Sequence, residues 1–241
     1  MKKLFLLTIL LTFTSYTLTA QYYNKKIKGN GNLKTTTINV SDYDKISVAG
    51  NFEVNLYKGN EGDITIKTDE NLMEYRIVEA KDGKLKIKTE KGYSLKPSKK
   101  IEIKVPFEDL NALSLAGSGN FYTEDVIKTE DLKLSLAGSG NYNLTIDSHD
   151  LKASVAGSGN TTLNGTTHEF ACSLAGSGNI NAYNLKAVDV KASVAGSGKA
   201  KLYASDELKA SVAGSGNISY KGNPEKVKAN AIGSGKIKSK S

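Results

Sequence analysis

The tetrapeptide Ala-Gly-Ser-Gly occurs six times, at residues 116–119, 137–140, 156–159, 175–178, 195–198 and 213–216, and Ile232-Gly233-Ser234-Gly235 closes the series. The first glycines (Gly117, Gly138, Gly157, Gly176, Gly196, Gly214 and Gly233) stand 21, 19, 19, 20, 18 and 19 residues apart. A unit of this length is too short to bury its own apolar face. It gains a core only by stacking on its copies, so a period near twenty residues predicts a solenoid with one coil per repeat.

Within each repeat the apolar residues recur with period two, the mark of a half-buried strand rather than a helix. Aligned on Gly-Ser-Gly, one column holds Leu132, Leu151, Phe170, Val190, Leu208 and Val227. The next holds Leu113, Leu134, Ala153, Cys172, Ala192, Ala210 and Ala229, and a third runs from Leu115 to Ala231. Between them lie outward lysines and a ladder of serines from Ser114 to Ser211. The middle column shrinks from Leu to Ala, so the interior must narrow there or be filled by larger residues from a facing side. Gly-Ser-Gly-Asn then turns the chain through a corner, where glycine tolerates positive φ and the recurring Asn side chains can bond from coil to coil. A second strand carries Leu144, Leu163, Leu202 and Tyr220 in one inward column and Phe121, Tyr142, Ile180 and Ile218 in another. Parallel crossover connections are right-handed in about 98% of cases. The fold class is therefore all-β: a right-handed parallel β-helix, a three-sided β-solenoid of about 19–20 residues per coil, with a less regular N-terminal half.

In that N-terminal half, Ile46-Ser47-Val48-Ala49-Gly50-Asn51-Phe52 is a worn copy of the strand and corner, and Gly29-Asn30-Gly31-Asn32 reads as an earlier one. Strands are expected at residues 53–57, 63–68, 84–89 and 101–105, a helical turn at 71–75 and an inserted loop at 93–100. The segment is read as either looser coils or a capping sheet. Lys2-Lys3, the apolar run from Leu4 and the Leu18-Thr19-Ala20 cleavage site mark residues 1–20 as an export signal. Residues 21–241 are expected to be one solenoid domain, irregular over 21–110 and regular over 111–241, with no membrane-spanning segment after signal removal. Localisation is then periplasmic, outer-surface or extracellular. Alternating lysines in Lys236-Ile237-Lys238-Ser239-Lys240 protect the last strand edge against indefinite stacking, but leave the oligomeric state open.

The export signal, the Tyr43-Asp44-Lys45-Ile46-Ser47-Val48-Ala49-Gly50-Asn51-Phe52-Glu53-Val54 segment and the serial Leu-Ala-Gly-Ser-Gly-Asn copies together resemble the putative autotransporter adhesin, head GIN domain family of Bacteroidetes-type bacteria. Glu70-Asn71-Leu72 and Lys91-Gly92-Tyr93-Ser94 are similar to that family too, and the likeness covers roughly residues 28–235. The resemblance implies an exported β-solenoid and brings no catalytic or binding residues with it. Lys199 and Lys236 depart from its pattern where Asn follows the corner elsewhere, as does Ile232 in place of Ala.

The formal net charge is +8, and Arg76 is the single arginine. Clamping phosphate or carboxylate groups favours the planar fork of Arg, so the charge reads as a solvated lysine surface, with no nucleic-acid partner. The lone Cys172 has no disulfide partner and reads as a small buried side chain. No cofactor and no metal site are expected, since His149 and His168 supply too few ligands. Acidic residues of the repeats, such as Asp131, Asp150, Glu169 and Asp189, read as loop and corner charges that do not stack at fixed repeat positions. Tyr183 and Tyr203 fall at equivalent outward positions of adjacent coils. They are expected side by side, as an exposed aromatic binding pair for a glycan. The function reading is an exported, non-enzymatic, adhesin-like or cell-envelope binding module that contacts glycans or another envelope surface. The alternative is a carbohydrate-active enzyme, a polysaccharide lyase or hydrolase, built on Asp63, Asp69, Glu70, Glu74, Arg76 and Glu79. A carrier for lipid would need a hollow interior.

Overall fold

The alternating pattern of each repeat becomes a strand paired with its own copies one coil above and below. A computed structural model describes residues 24–240; the expected export signal lies outside the described residues. The N-terminal strands are β1 (Lys25–Lys28), β2 (Leu33–Asn39), β3 (Lys45–Gly50), β4 (Phe52–Lys58) and β5 (Asp63–Asp69), then a 3-10 turn (Glu70–Tyr75). There follow β6 (Arg76–Lys81), β7 (Lys84–Thr89), β8 (Tyr93–Lys96), β9 (Ile101–Phe107), β10 (Ala112–Gly117) and β11 (Asn120–Thr123). The long repeat strands are β12 (Ile127–Gly138), β13 (Asn141–Gly157), β14 (Asn160–Gly176), β15 (Asn179–Gly196) and β16 (Lys199–Gly214). The chain ends with β17 (Asn217–Lys221), β18 (Lys226–Ile232) and β19 (Lys236–Ser239). From β10 onward every pairing is parallel, and Gly138, Gly157, Gly176, Gly196 and Gly214 face one another in register. The result is a β-solenoid of about seven turns.

The two glycines of each corner answer two different demands. Gly157 has φ +120°, and a Cβ there would lie 2.4 Å from the Gly138 carbonyl oxygen in the coil beneath. Gly159 has no positive φ, yet its Cβ would lie 2.4 Å from the Gly140 oxygen and 2.6 Å from Leu136 Cδ2. The coils come this close because the N–H groups of Ser158 and Gly159 both donate to Gly138 O, at 2.9 and 3.1 Å. Beside the corner, the amide of Asn141 donates to Asn120, Asn160 to Asn141 and Asn179 to Asn160, at 2.7–3.0 Å. Glu53 ends this ladder by accepting from Asn120, and Lys199 interrupts it above.

Inside, the apolar columns form one continuous buried cluster from Tyr43 to Ile218. Where the middle column shrinks, Tyr142 reaches from the facing side and its hydroxyl donates to Ser135 O at 2.8 Å. Its ring packs on Phe121 with centroids 5.5 Å apart. Val227 continues the inward column of Leu208 but is 44% exposed, since among the described residues it belongs to the last coil, whereas Ile232 is 67% exposed because it stands at the outward position that Ala occupies in the other repeats.

The N-terminal half supplies one more coil and a cap. Gly50 sits opposite Gly117 in the β3–β10 pairing, and β4 pairs with β11. On their other side β3 pairs with β7 and β4 with β9, again parallel. Antiparallel strands follow: β6 on β7, β5 on β9 and β2 on β5. Gly29–Asn32 is not an early corner, as the sequence had suggested. It joins β1 to β2 and wraps Asp69, whose buried carboxylate accepts from the Gly31 N–H at 2.7 Å and from the Ser98 N–H and hydroxyl at 2.9 and 2.7 Å. Residues 93–100 include β8, which pairs with β1 in a separate two-stranded parallel sheet.

Candidate functional site

The outward positions of β12–β16 repeat as the inward ones do, so a residue type recurring once per coil becomes a column along the solenoid axis, spaced by about 4.8 Å. Asp131, Asp150, Glu169, Asp189 and Glu207 form one such column. This corrects the expectation that the acidic residues do not stack: counted from the preceding corner glycine, coils of different length smear the register. Counted from the first apolar column, each carboxylate directly precedes Leu132, Leu151, Phe170, Val190 or Leu208. Three of its members have partners of their own. Asp150 lies 3.5 Å from His149 Nδ1, Asp189 accepts the Glu207 N–H at 3.2 Å, and Glu207 pairs with Lys209 at 2.7 Å. The Lys209 hydrogen bond outweighs desolvation and holds the Glu207 carboxyl below its ordinary range.

Two residues further on runs the lysine column, Lys133, Lys152, Lys191, Lys209 and Lys228, with Ala171 in the third place. Two residues beyond it runs the serine column. Between them lies a shallow groove of about 520 Å³ floored by Ala153, Cys172, Ala192 and Ala210. Cys172 is 5% exposed, and burial pushes its thiol up to about 12, which leaves it protonated and unreactive at neutral pH.

Tyr183 and Tyr203 lie on β15 and β16, half-buried, and among the described residues their rings make no mutual stack. The cause is a register shift: Asn181 faces Lys201, but pairing resumes only at Ala187 opposite Ala204, so the longer coil bulges where Tyr183 sits. Tyr183 instead donates to Ser219 Oγ at 2.7 Å, with Lys201 and Lys221 at 5.9 and 5.3 Å from its ring. Lys186 covers Tyr203 at 3.9 Å. Both rings are thus embedded in a lysine-rich patch.

His149 and His168 do come together, stacked with centroids 4.9 Å apart and planes at 12°. They border a concavity with Asp109, Lys128, Glu130 and Asp147. Among the described residues, no group of three or more His, Cys, Asp or Glu is placed to hold a metal ion. The carboxylates of the enzymatic alternative have dispersed engagements: Asp63 with Asn39, Glu70 with Lys34, Glu79 with Lys86, and Asp69 in the cap. Arg76 Nε donates to Met73 O at 2.9 Å. A different acidic concavity, unseen in the sequence, gathers Asp42, Asp44, Glu61, Asp82, Glu108 and Asp109 from four separate segments. Glu61 there accepts the Tyr43 N–H at 2.5 Å and the Glu108 N–H at 3.3 Å. No local motif could have announced it.

A family model described as putative auto-transporter adhesin, head GIN domain, matches residues 42–224. No curated protein matches the sequence. Among solved structures, a putative adhesin from Bacteroides fragilis is 30% identical, with a TM-score of 0.83 over 89% of this chain and 100% of that one. A putative lipid binding protein from Parabacteroides distasonis is 31% identical, with a TM-score of 0.76 over 90% and 100%. A putative adhesin from Parabacteroides merdae is 27% identical, with a TM-score of 0.71 over 90% and 99%.

Proposed function

The chain belongs to the putative auto-transporter adhesin, head GIN domain family, and from that premise we propose that it is an exported, non-enzymatic, adhesin-like module that binds a glycan or another cell-envelope surface. One observation carries the reading: the repeat face presents the same outward side chains coil after coil, a long, regular surface rather than a cleft. Such a surface suits many weak contacts made together. The non-enzymatic part is supported by the dispersed engagements of Asp63, Asp69, Glu70 and Glu79, since general acid–base hydrolysis needs two carboxyl groups facing one bond. Among the described residues, no helix is long and apolar enough to cross a membrane.

The test is a glycan array run in parallel with a pull-down of isolated cell envelopes, using residues 21–241. Saturable capture by envelope material that competing glycan relieves supports the reading. Absence of binding to both overturns it, and turnover of a bound polysaccharide favours the enzymatic alternative.

A further inference from the structure

We propose that the groove between the lysine and serine columns binds a linear acidic polysaccharide laid along the solenoid axis. The inference rests on the adhesin-like reading and deepens it by naming the ligand class. Among the described residues, Lys133, Lys152, Lys191 and Lys228 are in no ion pair, whereas Lys209 is held by Glu207. The neighbouring acidic column runs two residues away without closing an ion pair on Lys133, Lys152 or Lys191; Asp150 lies against His149 and Asp189 accepts a backbone N–H. The ammonium groups of Lys133, Lys152 and Lys191 therefore line one wall of the groove outside any ion pair, and Lys228 continues the row within the field of Glu207.

Their arrangement selects the ligand. A lysine recurs with the coil spacing of about 4.8 Å, skipping one place at Ala171, so the matching partner carries its negative charges in series along an extended chain. Lysine, a compact charge on a flexible stem, suits a row of charges better than the bidentate grip of arginine does. The opposite wall is a row of hydroxyls, including Ser154 and Ser173, which lie 3.2 Å apart. Each hydroxyl both donates and accepts, which fits a hydroxyl-rich sugar chain rather than an acyl chain. No aromatic ring lines the groove, so it lacks the stacking platform that single-stranded nucleic acid uses. Each exposed ion pair contributes only about 0–1 kcal/mol, and binding arises from several engaged together.

Calorimetry of residues 21–241 with polygalacturonate, its neutral methyl ester and dextran, at rising salt, tests the proposal. Saturable binding to polygalacturonate alone, falling with salt, is expected. The double variant Lys152→Gln/Lys191→Gln should weaken it at least tenfold and flatten the salt dependence. Lys25→Gln/Lys26→Gln, on β1 away from the groove, should leave it unchanged, with circular dichroism showing both variants folded. Equal binding to the neutral ester, no loss in the Lys152/Lys191 variant, a preference for anionic vesicles or single-stranded DNA, or burial of the groove by a second copy in sedimentation would each overturn it. Undiminished envelope capture by the Lys152/Lys191 variant sinks this inference and spares the adhesin-like reading; loss of envelope capture by the unmodified chain sinks that reading itself.

Discussion

Replacing Gly157 with alanine tests whether the corners hold the coils together. At φ +120° a side chain sits in backbone territory that costs on the order of 1–3 kcal/mol. The added methyl would also lie 2.4 Å from the Gly138 oxygen, the acceptor of both corner N–H bonds. Coil separation is set by strand pairing on either side, so the clash can relax only by weakening those bonds, an overpacking cost of about 1–3 kcal/mol. Gly157→Ala should therefore lose about 2–6 kcal/mol, a large share of the roughly 5–15 kcal/mol that folded domains have. Ser158→Ala, at an exposed position of the same corner, should stay within about 0.5 kcal/mol. Urea unfolding followed by far-ultraviolet circular dichroism measures both, and hydrogen exchange should show the loss centred on β13 and β14. A Gly157→Ala protein as stable as the Ser158→Ala protein would refute the close-approach argument.

Three further outcomes concern the buried Asp69, the exposed asparagine ladder and the buried Cys172. Burial acts to raise the Asp69 pKa, but hydrogen bonds from Ser98 and Gly31 outweigh it and hold the value below 3.8. A depressed carboxyl stabilises the fold above its unfolded pKa and loses that contribution as pH falls through the folded one. In urea titrations, Asp69→Asn should cost about 1–3 kcal/mol at neutral pH, with the gap to the unmodified chain closing in acid below the ordinary aspartate range. Asn160→Ala removes two ladder bonds, at 3.0 and 2.7 Å, and should lower the urea midpoint by the equivalent of about 1–2 kcal/mol; no change would show the ladder to be incidental. Cys172 should resist an aromatic disulfide reagent at neutral pH until urea unfolds the chain, and rapid native labelling would contradict its burial.

The regular coils were legible in the sequence because two signals coincide there, period-two alternation from Leu132 to Val212 and a glycine corner at every turn. The need for the second glycine was not, since it depends on how near Gly140 O lies to Gly159. Chain order misled in the N-terminal half. The β3–β4 coil lies between β10–β11 above and β7 and β9 beneath, so the 67 residues from Gly50 to Gly117 pass under that coil and return. Only long-range pairing reveals this path. The antiparallel cap and the role of Asp69 were hidden for the same reason. Of the outward face, the serine and lysine ladders were plain, and the acidic column was present but obscured by counting from the preceding corner, across segments of unequal length. The register shift at Tyr183 was not foreseeable from matched spacing, because the extra residues of β15 are absorbed as a bulge just beyond Asn181.

The most direct measurement is lysine acetylation footprinting, read by mass spectrometry, on the chain bound to isolated envelope polysaccharide. Binding along the repeat face predicts that Lys133, Lys152, Lys191 and Lys228 are protected together while Lys25 and Lys26 remain reactive. Protection confined to the N-terminal lysines, or full reactivity at all four groove lysines when bound, would contradict it.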